Sequence, residues 1–280
     1  MPPNIAGING IHNITSLKDK QVTLECKSDA VPPPEITWLK DNKPLLPNVR
    51  IRIESDGRFV HINSAEVEDA GHYICIARNI AGKTTREFIL NIYVPPTIKD
   101  GPILVTTFVN NPANLECKAA GVPLPRISWR KNGAILHENN VRYTVMESGT
   151  VYFSSASVTD SGLYTCLAAN AAGSTQKQIE LLVYDPPLIN PGQTNITTIV
   201  NNQKTLKCEV TGNPKPRVEW RKNGLLINTD MNQNIYRFLS SGSLIIISPT
   251  VEDTGMYVCS ASNDAGHDEL AIYLSVLGKA

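Results

Sequence analysis

A seven-residue pattern, Asp-x-Gly-x-Tyr-x-Cys, occurs three times in the chain and constrains the fold more than any other feature. Its copies end at Cys75, Cys166 and Cys259. Before each copy stands an earlier cysteine, followed twelve residues later by a tryptophan: Cys26 and Trp38, Cys117 and Trp129, Cys208 and Trp220. The earlier cysteines lie 91 residues apart (117 − 26 = 208 − 117 = 91). The sequence therefore contains one module written three times.

The repeat predicts three domains, which we place at residues 1–94, 95–185 and 186–280. Each has the usual size of an independently folding domain. A domain this small has a thin core and benefits from a covalent link. Six cysteines can pair in fifteen ways, and the repeat favours pairing within each module, at separations of 49, 49 and 51 residues. Buried free thiols remain an alternative because cytosolic proteins keep their cysteines reduced.

Charge and hydropathy exclude several classes of partner. The chain has 26 basic and 26 acidic residues, and the two signs also balance within each predicted domain. Nucleic acids and anionic membranes select a concentrated positive surface, so neither is expected as the main partner. The longest apolar runs, such as residues 244–247, are far shorter than the roughly twenty residues that cross a bilayer. We therefore expect no membrane insertion.

Within each module the apolar residues alternate with polar ones, which is typical of strands with one buried face. Asn132-Gly133 and Asn223-Gly224 follow the tryptophan strands and favour tight hairpins, and Asp41-Asn42 occupies the same place in the first module. A Pro-x-Pro segment precedes each tryptophan strand, and we interpret it as a structural loop rather than as a ligand for an SH3-type domain. The pattern predicts an all-β, two-sheet antiparallel sandwich in each module.

These motifs, together with Asn-x-x-Gly at Asn79, Asn170 and Asn263, resemble immunoglobulin modules of the intermediate set. The resemblance covers the whole chain. It implies a disulfide between the two sheets, with Trp38, Trp129 and Trp220 packed on the three bridges and Tyr73, Tyr164 and Tyr257 forming tyrosine corners. Closing a loop of about fifty residues contributes about 4 kcal/mol in the chain-entropy model, which is comparable to the net stability of a module.

Longer segments are similar to the tandem immunoglobulin array of the hemicentin (fibulin-6) family: residues 3–7, 21–34, 79–90 and 236–244. This resemblance implies a very long secreted protein of the extracellular matrix that attaches cells to basement membranes. The calcium-binding modules of that family have no counterpart in this sequence, so no calcium ligands are carried over. Pro2-Pro3, directly after Met1, resembles the proline pairs at the later module junctions. We therefore expect the chain to be a piece of a longer array.

The sequence contains two partial matches to known functional motifs, and both lack a required residue. Gly82-Lys83-Thr84 ends like a phosphate-binding loop, yet Ala77 stands where the first glycine is required. The segment from Asp230 to Asn234 begins like a calcium loop, yet Ile235 occupies the glycine position, so a polar surface loop is expected there. We therefore predict that the chain is not an enzyme and uses no cofactor or metal.

Two kinds of surface residue remain as candidate functional sites. Asn13-Ile-Thr15 and Asn195-Ile-Thr197 are N-glycosylation sequons before the first cysteine strand of their modules. Basic residues follow or flank two of the tryptophans: Arg130, Lys131, Arg217, Arg221 and Lys222. We place all five on the exposed, outward side of the tryptophan hairpins, where they predict either a solvated sheet face or a weak glycosaminoglycan contact.

The sequence as a whole predicts a non-catalytic, disulfide-bonded segment of a secreted matrix protein that presents sheet faces to protein partners, including copies of itself. A first alternative is the ectodomain of a cell-surface adhesion or growth-factor receptor. A second is an intracellular sarcomeric scaffold built from the same modules, which would keep its cysteines reduced.

We also expect an extended rod, because Pro95-Pro96 and Pro186-Pro187 lack backbone donors and should keep the junctions both stiff and outside any sheet. Modules of about 40 Å placed end to end give a maximum dimension of about 120 Å, which small-angle scattering measures. Replacing each Pro-Pro pair by Gly-Gly should shorten the average dimension. A maximum dimension of about 70 Å would contradict the rod, since three such modules would then lie side by side.

Overall fold

The computed structural model describes residues 1–5, 10–137, 140–228 and 234–278, and its secondary structure is strands with three short 3-10 turns. The described chain falls into two compact units. The first comprises Met1–Gly101, Cys117–Leu136 and Thr165–Lys177. The second comprises Pro102–Glu116, His137–Tyr164 and Gln178–Ala280.

The first module lies wholly in the first unit. Its strands are β1 (Asn4–Ile5), β2 (His12–Leu17), β3 (Val22–Glu25), β4 (Ser28–Asp29), β5 (Glu35–Lys40), β6 (Lys43–Pro44), β7 (Ile51–Ile53), β8 (Phe59–Ile62), β9 (Gly71–Asn79) and β10 (Gly82–Ile98), with a 3-10 turn at Val67–Asp69. One sheet has the order β3-β8-β7, and the other joins β2, β10, β9, β5 and β6. The two sheets enclose one core.

The middle module contributes strands to both units. They are β11 (Leu104–Phe108), β12 (Ala113–Leu115), β13 (Ala119–Val122), β14 (Arg126–Lys131), β15 (Ala134–Ile135), β16 (Thr144–Val145), β17 (Val151–Phe153), β18 (Gly162–Asn170) and β19 (Gly173–Asn190), with a 3-10 turn at Val158–Asp160. In the second unit, β12, β17 and β16 form a three-stranded sheet, and β11 pairs with β19. In the first unit, β14 and β15 form a hairpin.

The third module lies wholly in the second unit. Its strands are β20 (Asn195–Ile199), β21 (Lys204–Leu206), β22 (Glu209–Asn213), β23 (Arg217–Lys222), β24 (Leu225–Leu226), β25 (Tyr236–Phe238), β26 (Leu244–Ile246), β27 (Gly255–Asn263) and β28 (Gly266–Leu277), with a 3-10 turn at Val251–Asp253. The sheets have the orders β20-β28-β27-β23-β24 and β21-β26-β25. The predicted polar loop at Asp230 lies mostly outside the described residues.

The sheets are not purely antiparallel. In every module the first strand of the larger sheet runs parallel to the last strand: β2 along β10, β11 along β19 and β20 along β28. The pairs β9–β10, β23–β27 and β27–β28 are antiparallel, as the alternation predicted. The tandem immunoglobulin sandwich is therefore as expected, with a parallel strand at one edge of each larger sheet.

Disulfides join the cysteines of each module. The Cα atoms are 6.2 Å apart for Cys26–Cys75, 6.4 Å for Cys117–Cys166 and 6.5 Å for Cys208–Cys259. Trp38, Trp129 and Trp220 are buried. The indole of Trp38 donates to the carbonyl oxygen of Gly57 at 2.7 Å, and that of Trp220 donates to Gly242 at 2.8 Å.

Gly57 and Gly242 have φ of +70° and +98°, and a Cβ atom at either would stand 2.7 Å from a backbone oxygen. The acceptor of the indole therefore has to be a glycine.

The module junctions differ from the sequence expectation. The prediction that the Pro-Pro pairs keep the junction outside any sheet is wrong, because β10 and β19 run continuously through them. β10 pairs with β13 at Val94–Val122 and again at Thr97–Ala120, with a register shift across the two prolines. The prolines are extended and lack donors, so the ladder skips them and resumes on either side.

Each tyrosine corner is built over a buried aspartate. The hydroxyl groups of Tyr73, Tyr164 and Tyr257 donate to the carbonyl oxygens of Asp69, Asp160 and Asp253, at 2.7, 2.6 and 3.0 Å. Burial raises the pKa of all three tyrosines, so the hydroxyl groups stay protonated as donors. The three aspartate residues are at most 8% exposed. Their buried carboxylates therefore need a cationic partner.

The cation that pairs with the aspartate differs between modules. Arg50 binds Asp69 in the first module, and Arg142 binds Asp160 at 2.6 Å in the middle one. In the third module Lys222 of β23 takes this role, with its ammonium group 3.0 Å from Asp253, and the hydroxyl of Tyr236 approaches the same carboxylate at 3.4 Å.

We expect the charge of Asp253 to stabilise the third module in a pH-dependent way. Burial raises the pKa of Asp253, but hydrogen bonds from the Thr250 backbone and from Lys222 outweigh it and leave the pKa below its ordinary value. A lowered pKa stabilises the folded state above the unfolded pKa of about 4, and that stabilisation is lost as pH falls through the folded pKa. Asp253→Asn should therefore lower stability at neutral pH by about 1–3 kcal/mol.

Hydrogen exchange of β27 peptides measures this loss, and its difference from the unsubstituted chain should shrink as pH falls from about 5 to about 2. Glu252→Gln is the matched control, because Glu252 lies in the same turn but is exposed. An equal loss in both variants, or a loss of the same size at every pH, would contradict the role given to Asp253.

Candidate functional site

The module junctions are the first candidate site, because an asparagine side chain fastens each one. The Nδ2 atom of Asn170 donates to the carbonyl oxygens of Val94 at 2.9 Å and Pro123 at 2.8 Å. Its Oδ1 atom accepts from the backbone of Ala172 at 2.8 Å. One amide therefore holds its own turn, the loop before β14 and the strand that arrives from the preceding module.

The same arrangement recurs at the second junction. Asn263 donates to the carbonyl oxygens of Asp185 at 2.9 Å and Pro214 at 2.8 Å. Asn213 adds a hydrogen bond to the Val183 carbonyl oxygen at 2.7 Å, and the backbone of Ile189 donates to Asp268 at 2.8 Å. In the first module, Asn79 donates likewise to Met1 and Pro32.

Close packing at each junction depends on a buried proline and, at the first junction, on a glycine. The second proline of each pair, Pro96 or Pro187, is buried, whereas the first is exposed. A Cβ atom at Gly121 would stand 2.9 Å from the Asn170 amide nitrogen and 3.1 Å from the Val94 carbonyl oxygen. We identified the Asn-x-x-Gly motif in the sequence, but its partners lie up to 78 residues away and carry no local signal.

The predicted glycosylation sites lie on edge strands. Asn13 is on β2 and Asn195 is on β20, and both side chains are exposed. In β20 the inward residues Ile196 and Thr198 are buried, so Asn195 and Thr197 face outwards. This geometry leaves each asparagine accessible to a bulky modification.

The predicted basic surface is divided by the alternation of the strands. Arg217 and Arg221 are exposed on the outward face of β23, where Arg217 lies 3.5 Å from Glu219. Lys222 points to the other face and is held by Asp253 and the carbonyl oxygen of Glu252. The placement of Lys222 on the outward face is therefore wrong.

In the other unit, Arg130 is exposed and Lys131 is half-buried on β14, so the same alternation applies. Gly82-Lys83-Thr84 begins β10 and pairs with β9 in a hairpin whose turn is at residues 80–81. In the part of the chain that the structure describes, no cluster of three or more histidine, cysteine or acidic side chains could hold a metal ion. Within the same ranges no helix is long and apolar enough to span a bilayer.

We expect the Asn170 amide to restrain the first junction. Asn170→Asp keeps the oxygen that accepts from Ala172 but removes the donor to Val94 and Pro123. Hydrogen exchange should accelerate at least about tenfold at the β10–β13 ladder near residues 97–99, because the ladder loses its side-chain support. Exchange in β3 and β8 of the first module is the internal control. Unchanged exchange at residues 97–99 would contradict the restraint.

Comparison with known proteins agrees with this geometry. The model of the immunoglobulin I-set domain matches residues 8–92, 96–183 and 187–276. The chain is 55% identical to human hemicentin-1 over 276 residues, which is 99% of this chain but 5% of hemicentin-1. It is 31% identical to chicken protein sidekick-2 over 94% of this chain and 12% of that protein.

A solved structure of three titin immunoglobulin domains covers all of this chain and 99% of the titin fragment, with a TM-score of 0.67 and 27% identity. These matches are arrays of immunoglobulin modules with structural and adhesive rather than enzymatic character, and this chain is not an enzyme. Three I-set matches over most of its length show that the chain belongs to the immunoglobulin I-set domain family.

Proposed function

We propose that the chain is a non-catalytic adhesive segment of a large secreted protein of the extracellular matrix, acting at basement membranes. The observation that carries the proposal is the 55% identity to hemicentin-1 over 99% of the chain. The six cysteines all lie in disulfides within modules, which suits an oxidising compartment. The chain spans 5% of hemicentin-1, so the role of the whole protein is part of the proposal.

The mechanism is positional. The strands β10 and β19 pass from one module into the next, and an asparagine fastens each passage. Such junctions tie the last strand of one module into the fold of the next, so that successive modules are joined without a free linker. The partners are proteins of the matrix or of cell surfaces, including homotypic contacts. Arg130, Arg217 and Arg221 are the exposed cations that a weak glycosaminoglycan contact would use.

A second candidate is the ectodomain of a cell-surface receptor. The 31% identity to sidekick-2 favours it, since cell-surface immunoglobulin receptors are also related to this chain. A membrane span in the full-length protein would separate the two candidates. The likeness to titin keeps an intracellular scaffold as a third candidate, and the redox state of the cysteines separates it from the others.

The chain secreted from a eukaryotic cell tests the proposal. After glycan removal, its mass should lie about 6 Da below that of the same material after reduction, since each of three disulfides removes two hydrogens. Peptide mapping should link Cys26 to Cys75, Cys117 to Cys166 and Cys208 to Cys259, and Asn13 and Asn195 should carry glycan. The secreted chain should then be retained on a reconstituted basement membrane at about 0.15 M salt.

Reduced and alkylated chain is the control for retention, because it lacks the folded surfaces. A double variant, Arg217→Ala with Arg221→Ala, separates a glycosaminoglycan contact from protein binding, since only the former weakens strongly with salt and with loss of these cations. Free thiols or unmodified sequons after secretion would count against the extracellular placement. Retention equal to that of the reduced chain would count against the matrix role.

A further inference from the structure

The three modules differ at one outward position of the first strand of the larger sheet. β2, β11 and β20 are equivalent, and each pairs in parallel with the last strand of its module. Positions 13, 104 and 195 are 91 residues apart (104 − 13 = 195 − 104 = 91). They hold Asn13, Leu104 and Asn195, and a threonine follows two residues later in every case. The middle module therefore has leucine where its neighbours have a sequon.

An edge strand offers unpaired backbone groups, and proteins protect such edges with charges, prolines or coverings. β2 has the sequon at Asn13 and is followed closely by Lys18 and Lys20. β20 has the sequon at Asn195. Along β11 itself, Leu104–Phe108, the sequence has no charged residue, no proline and no sequon, and the nearest prolines, Pro102 and Pro112, stand outside the strand. The edge of the middle module is thus the one that lacks these protections.

The same edge exposes apolar side chains. Leu104 and Phe108 are 51% and 45% exposed, and the adjoining Ile103 is 71% exposed. The ring of Phe108 rests against that of Tyr184 with centroids 5.8 Å apart, which fixes its orientation. Among the described residues, the ladder of β11 is formed with β19, and β11 ends the strand order of its sheet. Its other side is open to a further strand.

We propose that β11 is a self-association edge, at which two copies of the chain pair their β11 strands antiparallel. A two-fold axis through Thr106, the central residue of Leu104–Phe108, places Leu104 opposite the partner's Phe108 and Phe108 opposite the partner's Leu104. An aliphatic side chain opposite an aromatic one is a favourable cross-strand pair. The contact extends the larger sheet of the middle module from one copy into the other.

A second copy fits this edge better than a charged partner does. β11 itself offers hydrogen bonds and apolar surface but no charged side chain, since the nearest charge, Glu180, lies one strand further in on β19. An identical strand supplies both kinds of contact without placing like charges directly opposite each other. The equivalent edges of the outer modules carry the sequons, so glycan would leave the middle edge as the pairing site. That protection rests on the proposed extracellular function, whereas the pairing itself does not. A single strand pair buries little area, so the dimer is weak and depends on concentration.

The experiment uses the full chain secreted from a eukaryotic cell and measures its mass in solution by sedimentation over a range of concentrations. The unsubstituted chain should dimerise reversibly. Leu104→Asn completes the sequon Asn-Val-Thr with the native Thr106, so this one change adds both a glycan and the residue found in the outer modules. The dissociation constant of the dimer should rise at least about tenfold.

Two further variants isolate the cause. Leu104→Asn combined with Thr106→Ala has the polar residue without the sequon, and should weaken the dimer less than the glycosylated variant. Val49→Asn is the matched control, because Val49 is fully exposed, belongs to the first module and forms no sequon on replacement. It should leave the dimer unchanged, and thermal unfolding checks that every variant is folded.

A chain that stays monomeric up to about 100 µM would overturn the proposal. A dimer that persists when position 104 is glycosylated would overturn it too, as would binding of a different protein at β11 without self-association. The intact mass of the same sample shows separately whether the two sequons carry glycan. Unmodified Asn13 and Asn195 would count against the extracellular function while leaving the sedimentation result to decide the edge.

Discussion

The disulfide between the two sheets, with a buried tryptophan in the same core, is the constraint on which each module depends. Cys26 follows β3 and Cys75 lies in β9, so the bond joins the smaller sheet to the larger one. Closing a loop of about fifty residues is worth about 4 kcal/mol in the chain-entropy model, a large part of the net stability of a domain of this size. The indole then reaches through the core to the Gly57 carbonyl oxygen and fixes the turn before β8. The outward faces and the turns can vary because this centre does not.

The module junctions are the second constraint, because they determine how each module is joined to the next. A strand that passes from one module into the next allows no loop between them, and its two prolines cannot add donors to either sheet. The ladder therefore has to resume on the next module, and Asn170 or Asn263 holds the backbone where it does. The junction is thereby part of the fold of the following module.

The sequence predicts features that are local or repeated, and misses those that depend on distant partners. Alternation and turn residues predicted the sandwich because burial of one strand face leaves a period of two in the sequence. Even Asp41-Asn42, without glycine, adopts the positive φ values of the tight turn, at 49° and 64°. The salt bridge of Asp253 was not predicted, since its partner Lys222 lies 31 residues away in another strand. Lys222 directly follows Arg221, so the strand period of two turns its side chain to the opposite, inward face, where Asp253 binds it.

The three modules share a core that stability alone explains. Positions at which the modules differ are therefore more informative about function. The buried aspartate is neutralised by Arg50 in the first module but by Lys222 in the third, so the need for a cation is kept while its source changes. Position 104 shows the opposite case. There the surrounding strand is kept, and the outward side chain changes from a polar, modifiable asparagine to an exposed leucine. Burial does not require that leucine, and exposure of an apolar side chain on an open edge carries a risk of association. The self-association that we propose for β11 gives this exposed leucine a role that burial does not.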